Sequence, residues 1–392
     1  MRPLALLILL LPVALKAEVP PPIEGDLGTN RGTEGDADTA HATHQMVLLP
    51  DALPDSFDGA IPITNRHSDR SLDQVLFTWK LLKFPPAGAD ASAFTSAIGK
   101  VHLPGVQPKS EGLLKLNLPA ILKDADALQV LVNEFNGRLL SSRTWPLKPR
   151  RELLHAPAAP PATPPADLLS EDPLRVRCGD TVFTFSATTG RLSGIAIAGR
   201  QSGLANGPRP VTQVPGKRPS TSVLPDAPVV SVRDSDQRVI ITSRSGSDQN
   251  LFRWIVHPGG RLQLDYRFAR APGHPHRAGV AFDLSSTPAS KRWLGADPEL
   301  GLRHDTSKDA EFHGTFRDPL WMTLDLANAA VTIIPSSPDT TIGLLPPVTA
   351  ADPPSALAPG LLFFDDIAPP PADGPVTGSF VFHIRPAADP GP

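Results

Sequence analysis

The chain has 392 residues, 47 of them proline, and at about 3 kcal/mol per proline inside a helix this content excludes a mainly helical protein, helical repeats and coiled coils. What remains is short strands separated by many turns, with prolines at strand ends and edges. Charge is nearly balanced, 37 Lys and Arg against 40 Asp and Glu, with no basic patch, which argues against nucleic acid as a partner; the single cysteine, Cys178, excludes an intrachain disulfide and a cysteine-based zinc site and reads as a small core residue.

In chain order, residues 1–17 read as an export signal: Arg2 gives a short positive start, Leu4 to Leu15 an apolar run, and Ala17 a residue before cleavage. The run is short for a membrane span and no second long apolar run follows, so the expectation is a soluble exported chain, periplasmic or extracellular. Residues 18–56 are polar, acidic and scattered with Gly and Pro, and read as a flexible leader.

Strand signals then begin near Ile61. Phe77, Trp79 and Leu81 alternate with Thr78 and Lys80, and Leu114 and Leu116 with Lys115 and Asn117. Ala127 to Phe135 is a third strong run, and Asn136-Gly137 turns it into Arg138-Leu139-Leu140. Short strands at this spacing predict an immunoglobulin-like sandwich over 57–149. The Pro/Ala-rich run centred on Pro157 to Pro165 predicts a stiff linker over 150–172.

Beyond it the pattern predicts strands at Leu174 to Cys178, Thr181 to Phe185, Val229 to Ser243, Leu251 to Val256, Leu262 to Phe268, Val331 to Ile334 and Phe380 to Ile384. Thr189-Gly190 and His257-Pro258-Gly259-Gly260 mark turns between them. Strand and turn over 173–388 predict a large two-sheet sandwich, so the fold class is all-β throughout.

Catalytic signatures are missing. There is no G-x-S-x-G elbow, no phosphate-cradling glycine loop and no H-E-x-x-H, and no cofactor is expected. His274 with His276, and His41 with His44, lack an acidic or third histidine companion and read as solvated loops, not metal ligands. Of the nine glutamates, the first four folded candidates lie in turns or between domains and none sits at the end of a buried parallel strand, whereas glycosidases of the usual kind need two carboxylates on a rigid scaffold. Glu311 with His313 is the one acid–base pair to be imagined, and an exposed turn is the plainer reading.

These residues, taken in order, resemble the C-terminal part of glycoside hydrolase family 2, the β-galactosidase group. Ile63-Thr64-Asn65-Arg66-His67, Leu72-Asp73-Gln74, Phe77-Thr78-Trp79, Val101 to Pro108 and Arg143-Thr144-Trp145-Pro146-Leu147 resemble the sandwich that follows that family's catalytic barrel. Val182 to Phe185, Gly190-Arg191-Leu192, Asn206-Gly207-Pro208-Arg209, Trp254, Gly260-Arg261-Leu262, Tyr266, Trp293-Leu294-Gly295 and Trp321 resemble its small-chain domain, a supersandwich of the galactose mutarotase-like type.

The resemblance implies a β-galactoside-related role, and the departures limit it. The family's W-L-G-x-G-P segment reads Trp293-Leu294-Gly295-Ala296-Asp297-Pro298 here, running on to Arg303. The stretch Phe363 to Pro371 has no aromatic after Asp366, where relatives send one toward the sugar. The barrel and its two glutamates have no counterpart, so no catalytic residue is assigned. The expectation is a chain that is non-catalytic on its own and accessory to a separate barrel chain. Its alternatives are a stand-alone carbohydrate-binding protein and, less favoured, a mutarotase-like enzyme using Glu311 and His313. Trp293 is expected to stack on a sugar, Asp365 and Asp366 to bond its hydroxyls, and Arg303 to join them.

Overall fold

The computed structural model describes residues 46–154, 164–213, 219–221, 227–246, 250–269, 277–307, 314–338, 340–345, 360–365 and 374–387. Seven strands come first: β1 (Val47–Leu48), β2 (Ala60–Asn65), β3 (Val75–Lys83), β4 (Phe94–His102), β5 (Glu111–Lys115), β6 (Ala127–Glu134) and β7 (Leu139–Pro146). A single helical turn, Arg150–Leu153, follows.

The next strands are β8 (Ala166–Glu171), β9 (Leu174–Cys178), β10 (Thr181–Phe185), β11 (Leu192–Ile197), β12 (Arg200–Gln201), β13 (Leu204–Gln213), β14 (Ser220–Thr221), β15 (Val229–Ser235), β16 (Arg238–Ser245), β17 (Asn250–Val256) and β18 (Leu262–Phe268). The chain closes with β19 (Arg277–Leu284), β20 (Ser290–Asp297), β21 (Gly301–Ser307), β22 (Gly314–Arg317), β23 (Pro319–Asp325), β24 (Ala329–Pro335), β25 (Thr340–Leu345), β26 (Gly360–Asp365) and β27 (Val376–Pro386). The protein is all-β, a multi-sheet sandwich.

An eleven-stranded sheet runs β22-β25-β26-β19-β13-β11-β10-β9-β8, with β12 and β14 as side pairs. It faces a thirteen-stranded sheet, β15-β16-β17-β18-β27-β24-β23-β20-β21-β7-β6-β3-β4. The main core lies between them because alternate residues of both sheets are large and apolar: Phe183, Phe185, Phe282 and Phe363 from one, Ile241, Trp254, Leu264 and Phe382 from the other. Trp254 lies at its centre, its ring against Phe185, Phe282 and Phe382 and its indole N–H donating to the Gly190 carbonyl at 3.1 Å.

The remaining three strands, β1-β2-β5, cover a second core of Phe77, Trp79, Leu81, Val130, Val132 and Trp145. The alternation read at Phe77, Trp79 and Leu81 is realised in β3, and Asn136-Gly137 makes the β6–β7 turn with Gly137 at φ 91°. Between β17 and β18, Gly259 and Gly260 take φ 79° and 77°, as the turn signal there requires. Cys178 is buried at the end of β9, within the main core.

Three stretches differ from the sequence expectation. Val47 and Leu48, inside the predicted leader, form β1 opposite Asn65 and Thr64, because Val47 and Leu49 find apolar cover. Ala166–Glu171, inside the predicted linker, pairs with β9 as β8. Pro208, against the general expectation of prolines at strand ends and edges, sits within β13 where the pairing with β19 shifts register between Ala205 and Arg209, a position that does not need its missing N–H. The heart of the predicted linker, residues 155–163, lies outside the described residues, as does the predicted signal.

Among the described residues the two cores meet at one backbone junction. Gly301, the first residue of β21, pairs in parallel with Thr144 of β7, and the Thr144 N–H donates to the Leu300 carbonyl at 2.8 Å. Phe84, Leu153, Leu294, Leu302, Leu320 and Trp321 fill a third, smaller core there.

Candidate functional site

The β20–β21 hairpin carries the site. Antiparallel pairing sets Trp293 opposite Asp305, Gly295 opposite Arg303 and Asp297 opposite Gly301. Residues two apart share a face, so Trp293, Asp297, Arg303 and Asp305 stand together on one side of the hairpin. Gly295 leaves the space between them, since a Cβ there would come within 3.0 Å of the Trp293 ring.

Trp293 is 8% exposed and belongs to the main core. Its indole meets the ring of Phe316 on β22 edge to face at 5.1 Å. The Arg303 guanidinium lies over the same indole, 6.0 Å from the ring centre. It donates to Asp305 at 2.7 Å and to Asp297 at 3.3 Å. Asp297 also caps the turn, accepting from the Glu299 and Leu300 N–H groups at 2.9 Å. The result is an aromatic ring roofed by a guanidinium and flanked by two carboxylates, with its polar groups toward solvent.

On the opposite face of β21, His304 turns into the junction, its ring 5.7 Å from Trp321 and 6.1 Å from Phe84. Burial pushes its pKa down, with Arg292 adding to the effect and Asp305 opposing it. Its Nε2 and the Trp321 indole nitrogen are both buried without a partner among the described residues.

Around the hairpin tip, between it and β1, β2 and β5, lies a cleft of about 470 Å³. Asp51, Glu111 and Glu299 line it together with Arg66 and Arg143. Arg143 closes its floor, paired with the Asp51 carboxylate at 3.0 Å and donating to the Glu299 carbonyl at 3.3 Å.

Of the residues singled out from sequence, the structure brings Trp293 and Arg303 together. Asp365 is the last residue of β26 in the other sheet, opposite Ala278 and Thr340. Asp366 lies outside the described residues, as do Glu311, His313, His41, His44, His274 and His276. The carboxylates that accompany Trp293 are Asp297 and Asp305. Their signal was present: Asp297-Pro298-Glu299-Leu300-Gly301 is a turn between two alternating runs, which puts Asp297 and Asp305 on the Arg303 face. Among the described residues no group of three or more His, Cys, Asp or Glu is placed to hold a metal ion.

No family model matches the sequence. No curated protein matches it either. Among solved structures, galactose 1-epimerase from Lactobacillus acidophilus NCFM is similar over 55% of this chain and 94% of its own, at 9% identity and a TM-score of 0.35. A protein described as a mutarotase (YeaD) from Salmonella typhimurium is similar over 60% of this chain and 99% of its own, at 10% identity and a TM-score of 0.35. Overlap this loose is not a basis for assigning either activity to this chain.

Proposed function

We propose that this is an exported carbohydrate-binding chain, non-catalytic on its own and accessory to a separate chain that carries a glycosidase barrel. The observation behind the reading is the hairpin face of Trp293, Asp297, Arg303 and Asp305. Sugars present hydroxyls around an apolar ring, and a site for them combines planar carboxylates and a guanidinium with an aromatic backing. Here the aromatic backs the guanidinium, so the sugar contacts fall on Arg303, Asp305 and the outer edge of Asp297. Export is supported by the Arg2 and Leu4–Leu15 pattern. No helix among the described residues is long and apolar enough to cross a membrane.

The test is calorimetry of the mature full chain against β-galactosides and a glycan array. Binding is expected, and Arg303→Ala and Asp305→Asn are expected to weaken it about tenfold or more, about 1.4 kcal/mol. The chain alone is expected to leave aryl β-galactosides uncleaved. Silence across the array, or unaided hydrolysis, overturns the reading.

A further inference from the structure

A different face of the molecule carries an unbalanced charge. Arg191 stands immediately before β11 and Arg209 within β13, on neighbouring strands of the eleven-stranded sheet, joined by the pairing of Leu192 with Gly207. Leu192 points into the main core. Ala281, the partner of Arg209, instead joins Val211 and Leu345 in a small cluster apart from that core, which marks the sheet's outer surface. On this surface Asp283 accepts from both Arg209 and Asn206, the latter at 2.6 Å. That one carboxylate is therefore already shared.

Arg191 has no such partner among the described residues. It is half-buried, and burial first, then the positive charge of Arg209, lowers its pKa. The Arg209 Nε is also buried without an acceptor among the described residues. Arg209 already shares its carboxylate with Asn206, and the desolvated, unpaired Arg191 guanidinium is unfavourable unless an anion arrives to complete it. Neutral hydroxyls supply acceptors but no charge; a carboxylate or sulfate supplies both, in a geometry the guanidinium fork matches.

We infer that this outer face holds the anionic group of an acidic carbohydrate, a uronate carboxylate or a sulfate ester, with Arg191 as principal donor and Arg209 as second. The sugar part of this inference rests on the carbohydrate reading above; the anion part does not.

The experiment uses the full chain and three probes: methyl galactoside, its uronate counterpart, which differs only in a carboxylate for the hydroxymethyl group, and galactose 6-sulfate. Calorimetry is expected to show at least tenfold tighter binding of one acidic probe than of the neutral one, and which probe wins names the source. Arg191→Ala should bring that affinity down to the neutral level. The Arg191 Nε–H resonance should shift on titration with the uronate or the sulfate. Equal affinities, or a preference that survives Arg191→Ala with no shift of the resonance, overturn the inference and leave the carbohydrate reading standing. If the resonance shifts with inorganic sulfate as much as with either sugar, the anion site stands and its sugar part falls. A melting temperature of the Arg191→Ala chain equal to the parent's shows that loss of binding is not loss of fold.

Discussion

Gly301 and Thr144, 157 residues apart, lie backbone to backbone: a Cβ on Gly301 would overlap the Thr144 carbonyl. Gly301 also takes φ 79°, a region that other residues enter only at a cost. Gly301→Ala is therefore expected to destabilise the protein by about 1–3 kcal/mol from the backbone conformation alone, with more from the overlap. It should also loosen the junction between the two large cores, read as amide exchange rising at Thr144 and Leu302 before it rises at Trp254. Uniform exchange across both cores would contradict the role of this contact.

Local pattern made much of the fold readable and left the junction and the charged sites hidden. The β3 alternation, the Asn136-Gly137 turn and the His257-to-Gly260 turn depend on residues within a few positions of one another, where periodicity of two and glycine's positive φ speak directly. The pairing of Gly301 with Thr144 and the placing of Arg191 and Arg209 on neighbouring strands arise from which strands become neighbours, which no local signal specifies. Trp293 and Arg303 were singled out through the resemblance, and the structure places them on one hairpin. Asp365 was placed with them by proximity to a resemblance and belongs to a different sheet.

Arg292 ties the same junction through side chains. It is buried on β20, makes a two-pronged pair with Asp325 at 2.8 and 3.0 Å, and reaches Asp90 at 2.8 Å and the Ala89 carbonyl at 3.2 Å. Arg292→Ala strands Asp325 beside the core and opens a cavity, at an expected cost of about 3 kcal/mol. Arg292→Met restores volume but not charge and should cost less than Arg292→Ala. Urea titration of both variants checks the order; equal losses in the two variants would show that the ion pairs outweigh packing here.

Stability should fall as pH drops from about 6.5 toward 4. His383, on β27, is half-buried and near Arg261, and desolvation first, then that charge, pushes its pKa down to about 4. His304 and His257 are lowered as well, both chiefly by burial. A histidine whose folded pKa lies below its unfolded value takes up its proton more readily when unfolded, so its contribution is complete above the unfolded value and is lost through this window. For His383 the expected loss is about 1–3 kcal/mol. Urea midpoints measured from pH 7.5 to 4 should show this slope, and His383→Gln should flatten it. A variant with the parent's slope would place the effect on His304 and His257 alone.

Cys178 offers a direct reading of global opening. Its thiol is buried in the main core, donates to the Pro164 carbonyl at 3.2 Å and sits 3.7 Å from the His257 carbonyl. Burial raises its pKa, with the negative charge of Asp167 adding slightly and the Gly259 and Gly260 N–H groups opposing. Nucleophilic attack needs the thiolate, so the native thiol is both scarce as thiolate and screened from reagent. A disulfide reagent at pH 8 is expected to modify the native chain only at the rate of unfolding, and the urea-denatured chain at once. Adding sub-denaturing urea should raise the modification rate with the same urea dependence as unfolding followed by tryptophan fluorescence. Fast modification without urea would mean that β9 and the segment at Pro164 open independently of the core they cover.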